Sequence, residues 1–149
     1  MILSTLVSGD DGYAQAPAPK PTAPSPAAPE PKLGSTVFVA SQLPVEKRPN
    51  GTRRAVLDAP TATLDRLHTH ISTLNPGEKS GEPRLHLQEE VIIVTEGTII
   101  AHFDGQKREA PAGSVIFFQS NAVTYLQNPG PKPASYYVVY YHTPLTPKG

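Results

Sequence analysis

The sequence contains no cysteine among its 149 residues, which excludes disulfide bonds, thiolate metal sites and cysteine nucleophiles. It also has no excess of charge, because 13 lysine and arginine residues balance 13 aspartate and glutamate residues. This balance and the lack of a long basic run argue against a nucleic-acid-binding surface and against electrostatic attachment to a membrane. No apolar run approaches the roughly 20 residues that a transmembrane helix requires.

Proline, in contrast, is abundant near the N-terminus. Seven of the 18 prolines lie in residues 17–32, PAPKPTAPSPAAPEPK, a composition that predicts a disordered linker because it offers no large apolar side chain to bury. The preceding residues 1–16, MILSTLVSGDDGYAQA, resemble the remains of an export signal, since a short apolar run is followed by small residues at Ala14 and Ala16. We therefore expect an exported protein, periplasmic or extracellular, with a cytoplasmic location as the alternative.

The remainder of the chain, residues 33–149, consists of short β-rich runs separated by turn residues. The runs are TVFVA (36–40), RRAVLD (53–58), TLDRLHTHISTL (63–74), EVIIVTEG (90–97), TIIAHF (98–103), SVIFFQ (114–119), TYLQN (124–128) and SYYVVYYHT (135–143). The turns include NPG at 75–77, NPGP at 128–131, and DG at 104–105, which predicts a two-residue hairpin. Because no segment has helical periodicity, the pattern predicts one all-β domain with a sandwich or barrel fold.

The segment RLHLQEE, residues 84–90, combines residue types that belong to different kinds of site. On an uninterrupted strand, Arg84, His86, Gln88 and Glu90 would point to the same face. Histidine and carboxylate side chains ligate metals, whereas arginine carries a permanent positive charge and ligates nothing. The segment therefore indicates either a metal site with an additional cation or a site that has lost its metal.

The spacing of residues 86–97 and 113–128 resembles that of the two motifs of the cupin superfamily, and the resemblance extends over about residues 63–143. It implies an antiparallel double-stranded β-helix, or jelly-roll barrel. In the family, three histidines and a glutamate ligate a divalent metal inside the barrel, and the matching positions here are Arg84, His86, Glu90 and Thr124. Since two of these four are not metal ligands and one adds a positive charge, the resemblance implies a degenerate metal site.

A different metal set would include a histidine from the preceding strand. His68 and His70 share one face of that strand, and if the face lines the barrel, His70 joins His86 and Glu90 as a two-histidine, one-carboxylate set. Such a set would hold Fe, Mn, Ni or Zn. The alternative is that these histidines are hydrogen-bonded residues of a polar pocket or of an exposed strand face. His102, just before the hairpin, is expected to be exposed.

Several functions are compatible with these residues. The first is binding of a small polar or anionic organic ligand inside the barrel by Arg84, His86, Glu90, His70 and Thr124, with no cofactor. We expect the Arg84 guanidinium to point inward and to lie against the Glu90 carboxylate. The second is a metal-dependent enzyme of the dioxygenase or isomerase type that uses the altered ligand set. A third is an interaction module held at the cell envelope by the proline-rich linker.

The last strand predicts an additional contact surface. SYYVVYY, residues 135–141, presents large apolar side chains to both faces of one strand. One face can pack on the barrel core, and the other needs cover from the N-terminal arm or from a second subunit. A homodimer is therefore expected.

Overall fold

The structure, a computed structural model, describes residues 29–148. The predicted export segment and all but the last four residues of the predicted linker lie outside the described residues. In the described range the chain forms a single turn of 3-10 helix at Ala40–Gln42 and ten β-strands. The strands are β1 (Glu46–Arg48), β2 (Gly51–Ala59), β3 (Arg66–Leu74), β4 (Arg84–His86), β5 (Glu90–Glu96), β6 (Thr98–Phe103), β7 (Gln106–Pro111), β8 (Val115–Phe118), β9 (Ala122–Gln127) and β10 (Ala134–His142). None of the described helical residues forms a span long and apolar enough to cross a membrane.

The strands form two sheets in which every neighbouring pair is antiparallel. One sheet has the order β1-β2-β3-β10-β5-β8, and the other has the order β4-β9-β6-β7. Strands that are distant in sequence lie side by side, as β3 and β10 do, so the two sheets form a jelly-roll barrel. The predicted all-β, antiparallel barrel is thus confirmed.

The inward-facing side chains change from polar to apolar along the barrel. Across β5 and β10, Glu90 pairs with Tyr140, whereas Val94 pairs with Tyr136 further along the same strands. The buried core contains Leu74, Ile92, Val94, Ile99, Ala101, Ala110, Ile116, Phe118, Leu126, Ala134, Tyr136 and Val138. Because this core fills the apolar end, the polar inward-facing residues remain at the other end, where the candidate site lies.

Turn residues fix the connections as their sequence predicts. Asp104 and Gly105 have positive φ values of 49° and 72°, and they join Phe103 directly to Gln106 across the β6–β7 pair. This is the backbone conformation that a two-residue hairpin requires. Asn128, which is 1% exposed, donates hydrogen bonds from its side-chain amide to the carbonyls of Leu74, Asn75 and Lys132. The two proline-glycine turns are therefore tied together at the apolar end.

One local prediction is wrong, and the condition attached to another is not met. Residues 36–40 do not form a strand, and residues 37–39 are exposed; the arm is instead held by Arg54 Nη1, which donates to the carbonyls of Ala40 and Leu43. The strand through residues 84–90 is also interrupted. Since β4 ends at His86 in one sheet and β5 begins at Glu90 in the other, residues 87–89 pass between the two sheets.

Candidate functional site

The polar end of the barrel contains a pocket of about 520 Å³. All five residues expected to bind a ligand line it: Arg84, His86, Glu90, His70 and Thr124. Other polar residues on its walls are Arg48, Arg53, Ser72, Ser80, Glu82, Gln88, Tyr125, Tyr136 and Tyr140. The interruption between β4 and β5 does not separate the predicted residues, because both strands face the same interior.

Arg84, His86 and Glu90 form a chain of contacts in that order. Arg84 Nε donates to His86 Nε2 at 3.1 Å, and His86 Nδ1 lies 3.0 Å from Glu90 Oε1. A guanidinium can only donate, so His86 Nε2 must carry a lone pair and the ring proton must be on Nδ1, facing the carboxylate. His86 is therefore a neutral imidazole between a cation and an anion. The expected direct contact between Arg84 and Glu90 is wrong, since the imidazole lies between them.

The members of this chain differ in their exposure to solvent. Glu90 is 7% exposed, whereas Arg84 at the start of β4 is exposed at the pocket wall. Thr124 on β9 pairs directly with Arg84 in the strand register and is 2% exposed. The guanidinium therefore points neither deep into the barrel nor away from it, and its two terminal nitrogens have no hydrogen-bond partner among residues 29–148.

A second chain of the same type lies on β2 and β3. Arg53 Nη2 lies 3.0 Å from His68 Nε2, and His68 Nδ1 faces Asp58 Oδ1 at 3.5 Å, which is too long for a strong hydrogen bond. Because the Arg53 guanidinium can only donate, the His68 proton lies on Nδ1. Arg66 Nε also donates to Asp58 and is the largest cause of the lowered pKa of that carboxyl group, which therefore remains ionised near neutral pH.

Sequence reasoning missed Arg53 and Asp58, because a β-bulge brings them together. They are five residues apart, a spacing that places two side chains on opposite faces of a regular strand. The register between β2 and β3 shifts between Ala55 and Leu57, so one extra residue restores both side chains to one face. The sequence signal was limited to the charged residues at the two ends of the run RRAVLD.

His70 is connected to the second chain. Its Nδ1 lies 3.0 Å from His68 Nε2, the atom that also accepts from Arg53. Burial, the Arg53 charge and then His68 lower the pKa of His70 to about 3, so the ring is neutral at pH 7. His68 stacks on Tyr140 with 4.3 Å between the ring centroids, which holds its ring in place.

The charges around the pocket are incompletely balanced. Arg48 is paired with Glu46 through two hydrogen bonds. Arg53 and Arg84, in contrast, each contact a neutral imidazole and no carboxylate within the described part of the chain. Burial raises the pKa of Tyr136 to about 12, so its hydroxyl group is protonated and can donate a hydrogen bond. The pocket thus combines two guanidinium groups that contact no carboxylate directly with neutral polar groups and the carboxylates of Glu82 and Glu90.

The residues present do not fit a divalent metal. Both nitrogens of His86 are already in contact with neighbours, and Arg84 adds a positive charge beside them. Among residues 29–148, no group of three or more histidine and carboxylate side chains is arranged to hold a metal ion. His70, His86 and Glu90 line the same pocket but do not form the three-ligand set considered from the sequence.

His102 corrects another expectation. It is 7% exposed and not an exposed residue at the strand end. Its ring stacks on Tyr125 with 4.0 Å between the ring centroids, and burial lowers its pKa. His102 does not line the pocket, so it contributes to packing of the second sheet.

Comparisons with known proteins bear on this architecture. Residues 70–140 match the family model of the Cupin domain, and no curated protein matches the sequence significantly. An RmlC-like cupin from Shewanella frigidimarina is similar in structure, with a TM-score of 0.60 and 18% identity over 74% of this chain and 95% of that chain. A predicted oxalate decarboxylase from Thermotoga maritima gives a TM-score of 0.60 and 18% identity over 72% of this chain and 100% of that chain. KdgF from a Halomonas species gives a TM-score of 0.62 and 15% identity over 74% and 97%. At these identities the structural similarities show the fold alone.

Proposed function

We propose that this chain, which belongs to the cupin superfamily, binds a small anionic organic molecule in the pocket of its barrel. The observation that carries the proposal is the unused hydrogen-bonding capacity of Arg53 and Arg84. Each uses one nitrogen on a neutral histidine, which leaves its charge and most of its N–H groups for a ligand. A guanidinium with free donors favours carboxylate and phosphate groups, which it can bind through two parallel hydrogen bonds.

The size of the pocket supports a small ligand. A volume of about 520 Å³ lies within the range of roughly 300–1,000 Å³ that is typical of small-molecule sites. The floor contributes apolar contacts from Ile92, Phe118 and Val138. A ligand with one anionic group near the arginines and a compact organic body fits this distribution.

We further propose that this pocket is a degenerate form of the cupin metal site. A metal would need the lone pair of His86 Nε2, and that lone pair accepts the hydrogen bond from Arg84. Thr124 and Arg84 occupy the other two positions that correspond to metal ligands in the family. Ligand binding by the arginines therefore requires no metal, which favours this function over a metal-dependent dioxygenase or isomerase.

The proposal can be tested by calorimetric titration of the purified protein with acetate, succinate, inorganic phosphate and sugar phosphates, with glucose and glycerol as neutral controls. Because a charge-assisted hydrogen bond contributes about 1.5–3 kcal/mol, Arg84→Gln and Arg53→Gln should each weaken anion binding by about 10- to 100-fold. Arg108→Gln is the matched control, since Arg108 is exposed on β7 and does not line the pocket. The proposal fails if none of the anions binds, or if the two pocket variants bind as tightly as the control.

A further inference from the structure

The contacts of His70 determine which of its nitrogens can meet a ligand. His68 Nε2 accepts from the Arg53 guanidinium, so it carries no proton. His70 Nδ1 lies 3.0 Å from the same atom, and two lone pairs at that distance would repel each other. His70 Nδ1 must therefore carry the proton and donate it, with the single lone pair of His68 Nε2 shared between two donors.

This arrangement leaves His70 Nε2 as a lone-pair acceptor. The His70 side chain lines the pocket, and its Nε2 has no hydrogen-bond partner among the described residues. The atom is also absent from the fully buried unpartnered nitrogens, which are His68 Nδ1 and His102 Nε2. His70 Nε2 consequently has access to the pocket space. The pocket thus presents guanidinium donors and one neutral acceptor.

An acceptor of this kind selects for a donor on the ligand. A hydroxyl group satisfies it without adding charge. An ammonium group would also donate, but it would lie near Arg53 and Arg84, which contact no carboxylate directly and whose charges both lower the pKa of His70. The buried carboxylate of the same pocket, Glu90, is already in contact with His86 Nδ1. A hydroxyl donor is favoured over an ammonium donor by this repulsion.

We infer that the anion bound by this pocket is a hydroxy acid, held by its acidic group at Arg53 and Arg84 and by its hydroxyl group at His70 Nε2. This inference rests on the proposed function, because it identifies the class of the anion. His70 is then a specificity residue, and Arg53 has two tasks: it binds the anion and, through His68, it fixes the orientation of the proton on His70.

Two sets of matched probes test the inference on the full-length protein. Propionate, lactate and alanine differ only in the group on one carbon, as do succinate, malate and aspartate. Lactate and malate should bind about tenfold more tightly than propionate and succinate, the difference that one hydrogen bond supplies, and alanine and aspartate should bind more weakly than the hydroxy acids. In His70→Ala this hydroxyl preference, the ratio of lactate to propionate affinity and of malate to succinate affinity, should fall to about onefold. His142→Ala, a histidine outside the pocket, should retain the preference.

The possible outcomes separate this inference from the proposed function. If all six probes and the phosphates of the first titration fail to bind, the proposed function is overturned together with the inference. If only the phosphates bind, the inference alone is wrong. If hydroxy acids and their unsubstituted analogues bind equally, or if the preference persists in His70→Ala, the inference alone is wrong. Tighter binding of the amino acids would also overturn it. Nitrogen-15 NMR of the histidine rings provides a readout independent of binding, because a proton on His70 Nε2 instead of Nδ1 would contradict the assignment.

Discussion

Replacing His86 by alanine should destabilise the protein by an amount that reports how the imidazole contacts Glu90. The carboxylate is 7% exposed and His86 Nδ1 lies 3.0 Å away, so the variant removes its nearest donor. A hydrogen bond from a neutral group to a charged one contributes about 1.5–3 kcal/mol, whereas breaking a buried ion pair costs about 3–5 kcal/mol. His86 is neutral because it accepts from Arg84, and water in the open pocket can replace part of the contact. We therefore expect the interaction free energy between His86 and Glu90, their coupling, to be about 1–2 kcal/mol.

A double-mutant cycle isolates that coupling. It compares the parent, His86→Ala, Glu90→Gln and the double variant by urea unfolding, followed by far-ultraviolet circular dichroism because the chain has no tryptophan. Glu90→Gln should offset much of the loss in the His86→Ala background, since a neutral amide requires less compensation than a carboxylate.

Two results would contradict this reasoning. A coupling close to zero would mean that His86 does not compensate for the buried carboxylate. A coupling above about 3 kcal/mol would mean that the imidazole is protonated, and then Arg84 could not donate to His86 Nε2. His142→Ala serves as the control for loss of a partly buried histidine outside the pocket.

Three further predictions concern the metal, the pH and the oligomeric state. Arg84→His combined with Thr124→His should create a site for a divalent metal. The two positions pair directly across β4 and β9, and His86 and Glu90 line the same pocket. Elemental analysis that finds stoichiometric metal in the parent, or none in the double variant, would contradict this. The contribution of neutral His70 to the free energy of unfolding should be fully present above about pH 6.5 and should be lost as the pH falls toward about 3. The reason is that the pKa of His70 is about 3 in the folded protein against an ordinary value of 6.5, so the unfolded chain binds the extra proton. His70→Gln should flatten this part of the pH profile of the urea midpoint, and an unchanged slope would refute the assignment. Light scattering at micromolar concentration should give the mass of a dimer, since Val115 and Phe117 are 67% and 57% exposed on the edge strand β8. Phe117→Glu should produce a monomer. A monomeric parent would contradict the prediction.

The strands and the pocket residues could be predicted because they depend on local patterns. Alternation along β5 places Glu90 and Ile92 inward and Ile93 outward, and the dipeptide at 104–105 specifies its own turn conformation. The spacing of the two motifs assigns Arg84 and Thr124 to two positions of one site, and these residues do pair in the register of β4 and β9. Backbone geometry of this kind is encoded over a few residues, so it can be read directly from the sequence.

The side-chain contacts within the two groups of polar residues in the site could not be predicted in the same way. Whether Arg84 reaches Glu90 or His86 depends on side-chain conformations and on the interruption after β4, neither of which has a sequence signature. The bulge in β2 reverses the alternation between Arg53 and Asp58 and so conceals their relationship to His68. Residues 36–40 have strand propensity but pair with no strand among residues 29–148, which shows that propensity alone does not form a strand.

The position of Arg84 has a consequence for how a metal and a ligand compete in this barrel. A metal ion would use the lone pair of His86 Nε2, and the Arg84 guanidinium uses that same lone pair as its hydrogen-bond acceptor. The two arrangements are therefore mutually exclusive at the level of one atom, before any repulsion between the ion and the guanidinium is counted. Arg84→His should do more than remove a positive charge, because it also releases the lone pair that a metal requires. Arg84→Gln provides the separating control: its amide also removes the charge, but it can still donate to His86 Nε2. If Arg84→Gln with Thr124→His gained metal as readily as the double histidine variant, charge repulsion alone would exclude the metal from the parent, and competition for the lone pair would have no part in it.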